Sequence, residues 1–165
     1  MPLKLGREKE KVMDDEIQRW AGPVAAPTPE ELAEHHALSR LVKIYALGAD
    51  MRDYQLMRSV FADDALGEGS TKTAPIDEYL PFVFKGASSY AATQHNITNQ
   101  HISVDGDTAV VWSDAIAIHK AEAGGERPHL HIGVQYRDTC RRTAGGWLIT
   151  HRKVVVRWKD TLPSS

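Results

Sequence analysis

From residue 94 onward the chain consists of long extended runs broken by very short connections. The segments "HNITNQHISV", "TAVVWSDAIAIHKA", "HLHIGVQYRDTCRR" and "WLITHRKVVVRW" are rich in β-branched and aromatic residues, and "DGD", "AGGERP" and "TAGG" separate them. Strands joined by turns this short must pair antiparallel with their neighbours in sequence, because a parallel crossover needs a dozen or more residues. A four-strand meander is therefore expected over the second half of the chain.

Before residue 94 the period is helical. Thr28 suits an N-cap, Pro29 the first helical position and Glu31 the return bond of a capping box. Ala37, Leu38, Leu41, Val42, Tyr45 and Ala49 follow at helical spacing, and Gly48 weakens the end of that helix. A second short amphipathic helix is expected over "DYQLMRSVFADDA", with Leu56, Met57, Val60 and Phe61 inward. A third begins near Asp77 and runs through "EYLPFVF", with Pro81 in its first turns or kinking it. Much of residues 67 to 92 has no clear pattern. Helices followed by a meander is an α+β plan.

The length of 165 residues fits one domain. Residues 1 to 27, whose first 20 or so are charged and suited to a short helix, read as an N-terminal arm ended by the prolines of "AGPVAAPTP". Trp20 is placed to pack that arm against the domain, residues 28 to 165, or against a neighbouring subunit. A formal net charge of −2, without a basic block, argues against a nucleic-acid partner. The single cysteine, Cys140, allows no intrachain disulfide, and no apolar run is long enough to cross a bilayer. A cytoplasmic protein is expected.

Within "TAVVWSDAIAIH" the alternating residues form two unlike sets. Ala109, Val111, Ser113, Ala115, Ala117 and His119 make a small face with a polar tip, as expected where a curved sheet lines a cavity. Val110, Trp112, Asp114, Ile116 and Ile118 make a large, mostly apolar face, which suggests burial against something, such as another subunit.

Three stretches carry a family resemblance: "YALGADMRDYQLMRSVFADDA", "HNITNQHISVDGDTAVV" and "YRDTCRRTAGGWLITHR". They resemble the SnoaL-like branch of the nuclear-transport-factor-like superfamily, over residues 35 to 158. The resemblance implies a cone-shaped barrel, a strongly curved mixed and mainly antiparallel sheet wrapped around helices with an apolar pocket inside. Such a fold hosts enzymes, ligand binders and structural subunits, so it does not by itself assign a function. The similarity extends to members with an Asp–His dyad: scytalone dehydratase, hexachlorocyclohexane dehydrochlorinase and the bile-acid dehydratases. By that resemblance Asp50, in "GADMR", and His95, at the head of the strand before "DGD", are the dyad. Arg152, after Trp147, and Tyr45, five residues before Asp50, match assisting positions.

The chemistry suits those residue types. A histidine abstracts a proton beside a leaving group at neutral pH, and a carboxylate on its other nitrogen fixes the tautomer. A phenol or guanidinium across the pocket can hold the departing or developing oxygen anion. Each residue also has a structural role open to it. Asp50 or Asp53 can cap a helix, His95 and Tyr45 can be hydrogen-bonded core, and Arg152 can pair with Asp138. Tyr45 and Asp50 would point roughly 140° apart on an ideal helix, so a shared pocket requires the helix to unwind near Gly48. The four positions taken together favour the catalytic reading.

Asn99, His119, His131 and Trp112 complete the expected substrate-contacting set. Asn99 falls on the His95 side of its strand by alternation, and His119 matches a second pocket histidine in scytalone dehydratase. His129 and His131 form an H-x-H pair without a third ligand, so no metal is expected. His35, His36, His101 and His151 read as surface or structural. The resemblance implies a lyase, of dehydratase type and needing no cofactor, acting on a small apolar cyclic substrate such as a polyketide, steroid or aromatic precursor. An isomerase or cyclase using the same base is the alternative, and a non-catalytic binder or a dioxygenase small-subunit-like protein is a third. A homotrimer or dimer is expected.

Overall fold

The computed structural model describes residues 16–164. Three helices and one six-stranded sheet make up the fold: α1 (Pro29–Asp50), α2 (Tyr54–Arg58), β1 (Phe61–Glu68), β2 (Thr73–Pro75), α3 (Ile76–Ser88), β3 (Ala92–Asp105), β4 (Thr108–Lys120), β5 (His129–Thr143) and β6 (Gly146–Leu162). The sheet order is β2-β1-β6-β5-β4-β3. Strands β3 to β6 form the antiparallel meander, while β1 joins β6 in parallel, so the sheet is mixed. It is open and curls around α1 and α3. None of the described helices is long and apolar enough to cross a membrane.

Local chemistry explains where α1 starts. The Thr28 hydroxyl accepts the Glu31 N–H at 3.1 Å and the Glu31 carboxylate accepts the Thr28 N–H at 2.7 Å, so the capping box is complete. The helix lays Leu38, Val42, Tyr45 and Ala49 against the concave side of the sheet. There it meets the small residues of β4, since Ala109, Val111, Ser113, Ala115 and Ala117 are all buried. Small side chains on that strand leave room between helix and sheet.

The expected second helix is cut short. It stops at Arg58, and "FADDA" is strand β1, paired through Phe61 with Ile149 and through Leu66 with His151. Two adjacent acids, Asp63 and Asp64, would have stood at the negative C-terminal end of a longer helix. As a strand the segment buries Phe61, Ala62 and Ala65 and leaves both acids in solvent, where Asp63 pairs with Arg58 and Asp64 with Arg141. The third helix runs Ile76–Ser88 with Pro81 inside it.

The convex face is partly covered by the arm. Trp20 packs edge-on against Trp112, with ring centroids 4.9 Å apart, and tilts against His101. Arg137 lies 3.9 Å above the Trp112 ring and pairs with Glu16. The expectation of a short helix at the very N-terminus falls mostly on residues 1–15, outside the described residues. Farther along the same face Ile116 and Trp158 remain about 40% exposed.

Helix α1 passes through Gly48 without unwinding. A Cβ there would lie 2.5 Å from the Met57 backbone nitrogen, so glycine lets α2 close onto α1. Alanine is normally the better helix former by about 1 kcal/mol, but here the close approach outweighs propensity. Gly48→Ala is expected to destabilise the protein by about 1–3 kcal/mol in chemical denaturation, and a gain of stability would contradict this packing.

Candidate active site

At the end of α1 the Asp50 side chain meets the head of β3. Its Oδ1 lies 2.7 Å from His95 Nδ1 and accepts the Thr93 hydroxyl at 3.0 Å, while Oδ2 accepts the His95 backbone N–H at 2.8 Å. Asp50 caps no helix; Asp53 does, accepting the Leu56 N–H at 2.9 Å. Burial raises the Asp50 pKa, but the hydrogen bonds from the His95 ring and backbone and from Thr93 outweigh it and hold the carboxyl below its ordinary value. An ionised Asp50 is an acceptor only. His95 Nδ1 therefore carries a proton, which leaves Nε2 with the lone pair whenever the ring is neutral.

The His95 ring stands on the wall of a cavity of about 160 Å³, lined also by Tyr45, Ala49, Tyr79, Ala117, His119 and Tyr136 among others. Asp50 does not line it. The required unwinding of α1 is absent, so Tyr45 reaches the cavity directly while Asp50 stands behind His95. His119 packs edge-on to His95 with centroids 5.8 Å apart, and the Tyr90 ring lies tilted against it at 5.0 Å. Burial, with His95 close by, lowers the His119 pKa to about 4, so this ring is neutral at physiological pH.

Tyrosines crowd the other end. Burial raises the pKa values of Tyr45, Tyr79 and Tyr136, which keeps all three phenols protonated as donors. Beneath them Arg152 is almost fully buried, its guanidinium 4.2 Å from the Tyr45 ring centroid and 4.6 Å from that of Tyr136. It forms a bidentate pair with Asp138, Nε to Oδ1 and Nη2 to Oδ2, both at 2.7 Å. Burial opposes the charge, but Asp138 outweighs it and keeps the guanidinium protonated. Arg152 thus does not touch the cavity, because Tyr45 and Tyr136 lie over it.

Three other expected residues are elsewhere. A bulge in β3 lies between Ile97 and Gln100, which pair with Ala115 and Ser113, so one extra residue enters β3 and the alternation changes phase. Asn99 is consequently exposed, and Gln100 takes the inward place, donating to Ser113 and accepting from Ser39. His131 alternates with Ile132, Val134 and Tyr136, which face the cavity, so its ring lies on the convex face. Trp112 is also on that face, under Trp20. Tyr79, Tyr136 and Thr93 were not foreseen. Their only sequence signal was position: Tyr136 shares a strand face with Asp138, and Thr93 is two residues before His95. Among the described residues, no group of three His, Cys, Asp or Glu is arranged to hold a metal ion.

Comparison with known proteins agrees with this fold. The SnoaL-like domain family matches residues 30–153. No curated protein matches significantly in sequence. A Novosphingobium aromaticivorans protein assigned as a scytalone dehydratase superposes with a TM-score of 0.69 at 23% identity, over 80% of this chain and 93% of that one. A hexachlorocyclohexane dehydrochlorinase from Novosphingobium barchaimii gives 0.69 at 19%, over 79% and 91%. A Nostoc punctiforme protein of unknown function with a cystatin-like fold gives 0.61 at 20%, over 80% and 95%. At such identities these likenesses concern the fold alone.

The His119 environment has a measurable signature. Its folded pKa lies below the unfolded one, so the unfolded chain binds the proton more readily and this group removes stability as pH falls from 6.5 towards about 4. NMR titration is expected to show a His119 midpoint of about 4; an ordinary midpoint near 6.5 would mean that water reaches the ring freely.

Proposed function

The chain belongs to the SnoaL-like domain family, and from that premise we propose that it is a lyase of the dehydratase type acting on a small, neutral, cyclic substrate. The observation that carries this reading is His95, with Nδ1 tied to an ionised Asp50 and its ring on the wall of a small cavity. A cavity of about 160 Å³ is smaller than the roughly 300 Å³ at which pockets for drug-sized ligands begin. It suits one or two rings.

In this reading His95 Nε2 removes a proton from the carbon beside a carbonyl. Asp50 stabilises the imidazolium that forms. Negative charge gathers on the carbonyl oxygen, and a neutral phenol at the tyrosine end donates to it, with Tyr45 the candidate. The bond to the β-hydroxyl then breaks, and the imidazolium returns the proton to the departing oxygen as water. His95 ends neutral, ready for another cycle. Arg152 acts from beneath the rings, its charge favouring a negative oxygen near Tyr45 and Tyr136. Among the substrate-contacting candidates, His119 remains as a neutral wall residue or donor.

The same base and phenols serve an isomerase or cyclase, in which the enolate is reprotonated or attacks carbon instead of expelling hydroxide. The exposed Ile116 and Trp158 on the convex face support the homotrimer or dimer expected from sequence.

A tetralone bearing a β-hydroxyl is a suitable probe, since loss of water yields a fluorescent naphthol. The protein is expected to accelerate naphthol formation, and His95→Gln or Asp50→Asn to reduce kcat roughly a hundred- to ten-thousand-fold. Deuterium exchange beside the carbonyl without naphthol would favour the isomerase or cyclase. If the protein binds naphthol but promotes neither reaction, the enzymatic reading is wrong and the ligand-binding one stands.

A further inference from the structure

Helix α1 ends in an arrangement that glycine normally makes. The Asp53 N–H donates to the Gly48 carbonyl at 2.8 Å and the Arg52 N–H to the Ala49 carbonyl at 3.4 Å, the two bonds of a Schellman motif. The residue between them must be left-handed. Here it is Arg52, at φ +59°, the only described non-glycine residue with positive φ. A side chain in that region costs roughly 1–2 kcal/mol, and strain that persists at a site invites the question of what the side chain does.

The Arg52 guanidinium folds back across the helix end. Nη1 donates to the Ala49 carbonyl at 2.9 Å and to the Thr93 hydroxyl at 2.8 Å, and Nη2 donates to the Tyr90 carbonyl at 3.2 Å. The bond to Thr93 has a directional consequence. A hydroxyl has one proton. Its oxygen already accepts from Arg52, which can only donate, so its proton must go to the other neighbour, Asp50 Oδ1, at 3.0 Å. Neither residue lines the cavity.

We propose that Arg52 and Thr93 are positioning residues for the dyad: Arg52 fixes the direction of the Thr93 hydroxyl, which holds the Asp50 carboxylate in the one orientation that presents Oδ1 to His95 Nδ1–H. This rests on the reading of His95 as a base. The relay also offsets a liability of Asp50, a carboxylate at the negative end of a helix dipole. A donor on each carboxylate oxygen keeps it ionised while the imidazolium exists, instead of letting it take the proton back from Nδ1.

Two variants remove the links with little effect on the fold. Arg52→Gly places the favoured residue in the left-handed position and deletes the fork. Thr93→Val keeps the shape and deletes the hydroxyl. The first readout needs no substrate: the downfield proton resonance of His95 Nδ1–H in the free protein, expected to be sharp in the native chain and broadened or lost in both variants. The second is turnover of the β-hydroxytetralone, with kcat expected to fall on the order of tenfold and KM unchanged, because the cavity wall is untouched. Thr93→Ser should restore both.

Variants that keep the resonance sharp while only the melting temperature moves would overturn the proposal and leave Arg52 and Thr93 as structural ties. If the native protein does not turn over the tetralone, the lyase reading fails, but the resonance still decides whether the relay orders the dyad.

Discussion

One carboxylate joins the two halves of this molecule. Asp50 closes a 22-residue helix and accepts three hydrogen bonds from β3, two from His95 and one from Thr93. The hydrogen bonds that tie the end of α1 to the sheet thus also orient the His95 imidazole. Fold and chemistry are therefore coupled at this joint, since a shift of α1 along the sheet would change the direction of the imidazole. Gly48 and Arg52 serve the joint from either side, the first by letting α2 approach and the second by turning the chain back across the helix end.

Charge inside the cone is kept away from the ligand. Arg152 and Asp138 neutralise each other beneath the rings of Tyr45 and Tyr136, and Asp50 stands behind His95. Besides His95, what faces the cavity is neutral at physiological pH: three protonated phenols, the lowered His119 and apolar side chains. Such a lining favours a neutral ligand, and the buried cation helps only when negative charge develops next to it. That difference between ground state and transition state is what catalysis requires.

Much of the frame was legible in the sequence because its causes are local. The capping box at Thr28 is a four-residue signal, and the small face of β4 could be read from its own alternation. The Asp50–His95 pair came from family resemblance and spacing. What escaped depends on distant partners. "FADDA" reads as helix until β6 offers it a parallel edge, and nothing in "ITNQ" marks the bulge that turns Asn99 outward. Arg152 occupies its expected place in sequence, but the choice between a ligand and Asp138 is made by cross-strand register, which pairs the two residues directly. Helical geometry correctly set Tyr45 and Asp50 on different sides of α1, and His95 bridges the gap without unwinding the helix.

The proposed chemistry requires His95 to present an unprotonated Nε2 to the cavity while Nδ1–H is held by Asp50. The ring-nitrogen shifts of His95 at neutral pH, read by long-range proton–nitrogen NMR with and without added naphthol, test it most directly. The expected result is a protonated Nδ1, an unprotonated Nε2, and an Nε2 shift that moves when naphthol enters the cavity. A proton on Nε2 with Nδ1 bare, or shifts indifferent to naphthol bound at saturation, would contradict it.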